Sequence, residues 1–367
     1  MKAECVQEKL QKVLSQAERI AGKNLNLPVL SCFYVEAADG KIMVRATNLD
    51  VGFQSGVPAK VEEDGKVAVP AAAFASFVGN LFGEKSVKLK SDGQLLSVVT
   101  AKNKTNIKCL PVDDFPTLPN ISEEKGFEMN ATDFIKGLKA VWYSSSISSI
   151  KPELSSVYVY PDDGFLVFAA TDSFRLAEKR VKTKITAKDF ERILIPFKNI
   201  PEIIRVLESA GGNTLVRLTG NLIAFSFGET YLTSRVIDGV FPDYRQIIPK
   251  EAKTEAVVLK EDLVRALKTA TIFSDNFNQI NISIRPSDKK LELTTKNNNL
   301  GETVTALDAA LTGEAVEVNF NYRYVSDCLQ SIDADSVSLS FAGAGRPVVI
   351  RGVGDGSFMY LVMPMNR

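Results

Sequence analysis

The sequence predicts an α+β protein built from three copies of one domain, each with two helices packed on antiparallel β-sheets. Three observations carry that prediction. The segments Ala46-Thr47-Asn48-Leu49-Asp50, Ala170-Thr171-Asp172-Ser173-Phe174-Arg175-Leu176 and Thr294-Thr295-Lys296-Asn297 recur, with 124 residues from Thr47 to Thr171 and again from Thr171 to Thr295. Each follows a hairpin pattern, and six amphipathic helix patterns occur in the same order around them. Repeats at domain-length intervals mark a chain made of equivalent units. At 367 residues the chain exceeds a single core and divides as 1–121, 122–250 and 251–367.

Each copy opens on a helix with an apolar i, i+3, i+4, i+7 stripe. The stripes are Leu10, Val13, Leu14, Ala17, then Phe134, Gly137, Leu138, Val141, then Leu263, Ala266, Leu267, Ala270. Asn130 to Asp133 and Lys260-Glu261-Asp262 give the second and third helices acidic first turns, which suit the positive end of the helix dipole. A hairpin comes next. Its strands and turn are Cys32 to Val35, Ala38-Asp39-Gly40 and Ile42 to Val44; Val157 to Tyr160, Asp162-Asp163-Gly164 and Phe165 to Phe168; Ile280 to Ile284, Ser287-Asp288-Lys289 and Leu291 to Leu293.

A second strand and helix then repeat. Val67 to Pro70, Ile193 to Pro196 and Val316 to Asn319 are the strands, with Pro or Asn at the corner. The helices behind them carry Phe74, Phe77, Val78, Leu81; Ile200, Ile203, Ile204, Leu207; and Val325, Cys328, Leu329, Ile332. More strands close each copy, over 86–100, 214–236 and 336–362, and 119–126 and 249–254 read as linkers.

Composition narrows the function. Histidine is absent, and Cys5, Cys32, Cys109 and Cys328 are scattered without a Cys-x-x-Cys pair. The commonest general base is therefore missing, the cysteines are not clustered as zinc ligands, and no cofactor or metal is expected. Unpaired cysteines and an N-terminus without an apolar signal region fit a reducing cytoplasm, and no apolar run reaches membrane-spanning length. Lys+Arg and Asp+Glu both number 44. Any phosphate contact must then be weak or confined to one face. Aligned on their stripes, the first helices place Lys12, Lys136 and Arg265 at one position and Ser15, Lys139 and Lys268 three residues on; Lys198, Arg205 and Arg323 lie on the second helices. Singly each is a solvated cation, whereas recurrence favours a basic face. The cluster Thr171, Asp172, Ser173, Arg175 also admits a carboxylate-assisted hydrolase, although the other two copies lack its constellation of groups. A repeat-domain scaffold that binds proteins without DNA is a third reading.

With these elements in place, the chain resembles the bacterial DNA polymerase III beta subunit family, the sliding clamps. The resemblance rests on Leu27-Pro28-Val29-Leu30, Leu110-Pro111 with Asp114-Phe115-Pro116, Ala170 to Leu176, Asp238 to Arg245, and Val362-Met363-Pro364-Met365, in order across nearly the whole chain. It implies a ring-forming head-to-tail homodimer with the DNA clamp fold, six domains encircling double-stranded DNA, helices lining the hole. It implies no catalysis. The expected partners are the polymerase III catalytic subunit, the clamp loader and other clamp-motif proteins of replication and repair.

The resemblance also assigns sites. A partner-peptide pocket falls on Leu154, Thr171, Ser173, Phe174, Arg175, Leu176, Pro242, Ile247, Leu361, Val362, Met363, Pro364 and Met365, with Val362 the one expected to point inward. DNA-facing candidates are Lys12, Lys23, Lys136, Lys139, Lys198, Arg205, Arg265 and Lys268, and dimer-seam candidates are Ile107, Ile272 and Phe273. The chain departs from the family pattern where Ser173-Phe174 replaces Gly-His and where it ends Met365-Asn366-Arg367 instead of Met-Arg-Leu. Lys23 stands one place before the family's basic position, occupied by Asn24.

Overall fold

The computed structural model of the chain describes residues 1–22, 27–121, 126–186 and 190–365. In the first repeat β1 (Lys2–Val6) leads into α1 (Gln7–Ala17), the hairpin β2 (Cys32–Ala38) and β3 (Lys41–Thr47), then β4 (Val51–Glu63), β5 (Gly65–Pro70), α2 (Ala71–Gly79), β6 (Ser86–Ser91), β7 (Leu95–Val99) and β8 (Lys104–Lys108). The second runs β9 (Gly126–Asn130), α3 (Ala131–Val141), β10 (Ser156–Asp162), β11 (Phe165–Thr171), β12 (Arg175–Lys182), β13 (Ile193–Pro196), α4 (Ile200–Leu207), β14 (Asn213–Thr219), β15 (Leu222–Phe227) and β16 (Thr230–Arg235). The third runs β17 (Thr254–Leu259), α5 (Lys260–Ile272), β18 (Gln279–Arg285), β19 (Lys290–Asn297), β20 (Gly301–Leu307), β21 (Ala309–Gly313), β22 (Val316–Asn321), α6 (Tyr322–Asp327), β23 (Ser336–Phe341), β24 (Val348–Gly352) and β25 (Phe358–Val362). Three domains of mixed helix and antiparallel sheet result.

The stripes read from the sequence are the buried faces of the helices. Leu10, Leu14, Ala17, Phe134, Leu138, Val141, Leu263, Leu267 and Ala270 are all buried. Gly137 is needed where α3 meets β11, because a Cβ there would stand 2.3 Å from the Phe168 ring. The first two hairpins turn through Asp39-Gly40 and Asp163-Gly164, whose four residues all have positive φ; Asp and Gly tolerate that region best. The third hairpin instead passes a short 3-10 turn, Pro286–Asp288, and reverses at Lys289, φ +53°.

Several expectations need correction. Leu81 lies two residues beyond the end of α2, and Lys198 sits in a 3-10 turn, Phe197–Asn199, ahead of α4. The third strand-to-helix corner lies at Asn321 rather than Asn319, since β22 continues two residues further and the Asn321 side chain caps α6 by accepting from the Arg323 N–H at 3.0 Å. The Val325, Cys328, Leu329, Ile332 stripe is buried, but α6 stops at Asp327 and a 3-10 turn, Cys328–Ser331, follows. Burial depends on side-chain spacing, which one tightened turn changes little.

The chain divides into two compact units. Met1–Ile135 with Lys198–Val236 holds a 12-stranded sheet, in which β4 of the first repeat pairs with β16 of the second. Lys136–Phe197 with Ile237–Arg367 holds a nine-stranded and a four-stranded sheet; in the former, β12 of the second repeat pairs with β25 of the third. Both junctions obey one rule: the strand after the threonine turn of one repeat takes the last strand of the next as its neighbour. Across them Gly52 faces Thr233 and Leu176 faces Leu361.

Candidate functional site

The threonine turn is built identically in the first two repeats. Thr171 Oγ1 donates to the Arg175 carbonyl at 2.6 Å and accepts from Ser173 N–H at 3.1 Å. Asp172 Oδ1 accepts from the N–H groups of Phe174 and Arg175 at 2.9 and 3.0 Å. In the first repeat Thr47 Oγ1 donates to the Val51 carbonyl at 2.9 Å, and Asn48 Oδ1 accepts from Asp50 and Val51 N–H. An amide thus does the work of the carboxylate, and the hydroxyl–carboxylate cluster is accounted for by turn geometry. The third repeat shifts by one residue: Thr295 Oγ1 donates to the Ala270 carbonyl, and Asn297 accepts from Asn299 and Leu300.

Arg175 leaves this turn sideways. Its Nε donates to Asp172 Oδ2 at 2.9 Å, its Nη1 to Asp327 Oδ2 at 2.5 Å, and the guanidinium lies 4.5 Å over the Tyr324 ring. Burial alone would lower its pKa, but Tyr360, Asp172 and Asp327 more than reverse this and hold it above the ordinary value. Strand alternation puts Arg175 and its cross-strand partner Val362 on the face opposite Leu176 and Leu361. Val362 is fully buried there.

On the Leu176 face, Leu176, Leu361, Leu194, Phe241, Tyr244 and Met359 form one buried apolar cluster, with Met363, Ile248, Tyr158 and Ile237 packed on it and partly exposed. This is a floor with an open rim. The 241–248 segment is fastened to β10 by aromatic packing: Tyr158 stacks on Tyr160 at 4.6 Å and on Phe241 at 4.9 Å. The Tyr160 and Tyr244 hydroxyls meet at 2.7 Å, Tyr244 donates to Glu178, and Arg245 reaches Tyr160 and Asp162 at 3.0 and 2.8 Å. Burial, then the Glu178 charge, pushes the Tyr244 pKa up, so its hydroxyl stays protonated as a donor.

Of the pocket candidates, Leu176, Leu361 and Met363 join this cluster directly. Phe174 is 61% exposed, and its carbonyl accepts from the Met363 N–H at 2.8 Å. Ser173, Pro242 and Ile247 are exposed, Pro364 and Met365 half-buried, and Leu154 and Thr171 buried. The Met365 N–H donates to the Asn319 carbonyl at 2.8 Å. Sequence reasoning missed Tyr158, Phe241, Tyr244, Ile248, Tyr324 and Asp327. Phe241 and Tyr244 lie inside the Asp238 to Arg245 motif without an assignment to the pocket, and only tertiary packing brings Tyr158 and Ile248 onto the cluster.

The basic candidates divide. Lys12, Lys136, Lys139, Lys198, Arg265 and Lys268 are all exposed. Lys136 pairs with Asp333 at 3.0 Å, Lys198 with Asp50 at 2.6 Å and Arg265 with Glu261 at 2.7 Å. Exposed pairs of this kind contribute about 0–1 kcal/mol. Arg205 is different: it binds Glu202 and donates to the Ser15 carbonyl, tying α4 to α1. Lys23, Asn366 and Arg367 lie outside the described residues. Ile107 is half-buried on β8, Ile272 is 63% exposed and Phe273 half-buried at the end of α5. Among the described residues no helix is long and apolar enough to cross a membrane, and no group of three or more Cys, Asp or Glu could hold a metal ion.

Repeats joined by shared sheets, and an apolar floor with an open rim in the unit of the second and third repeats, define a repeat-domain binding protein. The family models of the DNA polymerase III beta subunit match along the chain, the N-terminal domain over residues 1–119, the central domain over 128–243 and the C-terminal domain over 245–366. The chain belongs to the DNA polymerase III beta subunit family. It is 27% identical over 373 residues to a beta sliding clamp of Synechococcus elongatus, covering 100% of this chain and 99% of that one, and 25% identical over 379 residues to that of Bacillus subtilis, covering both in full. Its fold is similar to the crystal structures of the Bacillus subtilis sliding clamp (TM-score 0.94, 24% identity, 100% and 99% coverage) and of the Bartonella birtlesii clamp bound to griselimycin (TM-score 0.92, 26% identity, 100% of both).

Proposed function

We propose that this chain is a DNA sliding clamp: two copies close head to tail into a ring around duplex DNA and tether the replicative polymerase. The observation that carries the reading is the junction rule. The first and second repeats join through β4 and β16, and the second and third through β12 and β25. Among the described residues the same rule leaves two equivalent strands without that neighbour: β20 pairs with β19, and β8 pairs with β7. An open strand edge is a template for another chain. Pairing β20 of one copy with β8 of a second is heterologous, and two such contacts related by a twofold rotation close.

An encircling ring binds by topology, so it needs no net positive charge. Lysines on the first helices of the repeats then supply loose, sequence-independent phosphate contact. The apolar floor takes short motifs of the polymerase III catalytic subunit, the clamp loader and other replication and repair proteins, which the ring holds at high effective concentration near the primer end. Methionine at its rim suits several partners, because that side chain adapts its shape. The clamp has no catalysis of its own and works with the chromosome in the cytoplasm. Its domains are bounded at 121/122 and 250/251, just before the strands β9 and β17 that open the second and third repeats.

Retention on DNA tests this. After loading onto nicked circular DNA with a clamp loader, the protein stays bound; after linearisation it slides off. Equal retention on both forms would overturn the topological reading.

A further inference from the structure

We infer that Asp327 is a positioning residue for partner binding: it holds Arg175, and through it the rim formed by Phe174 and Met363, without lining the cleft itself. The inference rests on the docking role proposed above for the Leu176–Leu361 floor. A continuous set of bonds leads from α6 to that rim. Asp327 Oδ2 accepts from Arg175 Nη1 at 2.5 Å, and Arg175 Nε donates to Asp172 Oδ2 at 2.9 Å. The other oxygen of Asp172 fixes the N–H groups of Phe174 and Arg175, and the Phe174 carbonyl receives the Met363 N–H at 2.8 Å. Asp327 belongs to the third repeat and the turn to the second, so this pair is a side-chain tie across the junction that β12 and β25 make through the backbone.

The two partners differ in burial, and that decides the direction of control. The Arg175 side chain is 12% exposed, so its charge depends on the carboxylates around it, whereas Asp327 is 42% exposed and can be truncated without leaving a cavity. An alternative seat is at hand. The Tyr360 hydroxyl is fully buried beside the guanidinium and finds no hydrogen-bond partner of proper geometry among the described residues. Without Asp327 the guanidinium turns toward this acceptor, its hold on Asp172 loosens, and the Phe174 turn loses its fixed orientation. Ser173 sits in that turn at φ +79°, a conformation that only surrounding bonds keep in place.

The test measures binding of a synthetic peptide spanning the clamp-binding segment of the polymerase III catalytic subunit to the full-length protein. D327A weakens binding about tenfold, the size expected for residues in one bonded network, with the dimer intact; D327E recovers most of the loss. In an R175A background, D327A has no further effect. The inference is overturned if D327A binds as well as the wild type, if D327E fails to recover, or if the two substitutions simply add. M363A/M365A reports on the cleft separately: unchanged binding by that variant overturns the docking role and this inference together, whereas its loss beside normal D327A binding overturns this inference alone.

Discussion

Asn48 and Asp172, 124 residues apart, hold equivalent turns with equivalent hydrogen bonds. Each Oδ1 accepts two successive backbone N–H groups at 2.7–3.0 Å, two and three residues downstream. Each turn then starts the strand that pairs with the last strand of the following repeat. What differs is the use of the second oxygen. Asp172 spends it on Arg175, and so couples the turn to the third repeat, which an amide nitrogen could not do.

Thr171→Val should therefore lower stability by about 0.5–1.5 kcal/mol, because it removes the hydroxyl's two bonds in the turn while the Arg175 carbonyl keeps the Asp172 N–H and the exposed Ser173 N–H turns to water. Thr47→Val should cost a similar amount in the first repeat. Ser173→Gly should act oppositely, stabilising by up to about 1 kcal/mol, since relief of the positive φ, about 1–2 kcal/mol, outweighs the extra entropy that glycine loses on folding, about 0.5–1 kcal/mol. Chemical denaturation of the three variants checks both signs.

Much of the fold was legible because repetition multiplies weak signals. One i, i+3, i+4, i+7 stripe is ordinary, but stripes at Leu10, Phe134 and Leu263 in the same relation to three hairpins specify a domain. The third corner was placed wrongly at Asn319 because capping depends on where β22 ends, and strand ends are set by cross-strand pairing, here Gln279 opposite Asn321. At the site, the family resemblance names Leu176 and Leu361, and the fold places them in one apolar cluster. Tyr158 and Asp327 were not, since each reaches the cleft or its support only by tertiary packing. Arg205 shows the converse: a cation on the right helix whose charge is used by Glu202 and the Ser15 carbonyl.

Alkaline stability should report on the buried thiols. Desolvation, with a smaller contribution from Glu4, raises the Cys5 pKa from 9.0 to about 12, and burial raises that of Cys109 to about 11. Between pH 9 and these values the unfolded thiols ionise while the folded ones remain protonated, so the folded state binds more protons. Stability is full below pH 9 and declines as pH rises through 11 to 12. Denaturation midpoints at pH 8 and 10.5 should fall less steeply in Cys5→Ala than in wild type, and native Cys5 should resist iodoacetamide at pH 8.

The exposed lysines at equivalent helix positions should contribute electrostatically to DNA contact. Replacing Lys139 and Lys268 by Glu should lower the slope of log affinity against log salt by about one for each phosphate no longer neutralised, without altering peptide binding. Arg205→Ala should instead lower the melting temperature by releasing α4 from α1, with the salt slope unchanged. Filter binding across a salt series, beside thermal melts, separates the two classes.

The junction rule also fixes a register for the seam between copies. In β3–β4, β11–β12 and β19–β20 the repeat threonines face Gly52, Leu176 and Thr303. Gly52 and Leu176 in turn face Thr233 and Leu361 across the observed junctions. Following the ladders inward, Thr233 pairs through Ala224 and Leu361 through Val349, and the equivalent place on β7 is Ser97, whose partner on β8 is Asn106. Thr303 of one copy should then lie opposite Asn106 of the other, with Ile107 opposite Glu302. Asn106→Cys combined with Thr303→Cys should give a covalent dimer under mild oxidation, since directly opposed strand residues place their Cβ atoms about 4.5–5.5 Å apart, close to the 3.5–4.5 Å a disulfide requires. Neither single variant should cross-link. Ile107→Asp should shift the protein toward monomer by sedimentation, because a carboxylate placed opposite Glu302 brings like charges together at the seam. A covalent dimer from the double variant with normal loading onto circular DNA would fix both the partner strand and its register, whereas a monomer on non-reducing gels would refute the pairing of β8 with β20.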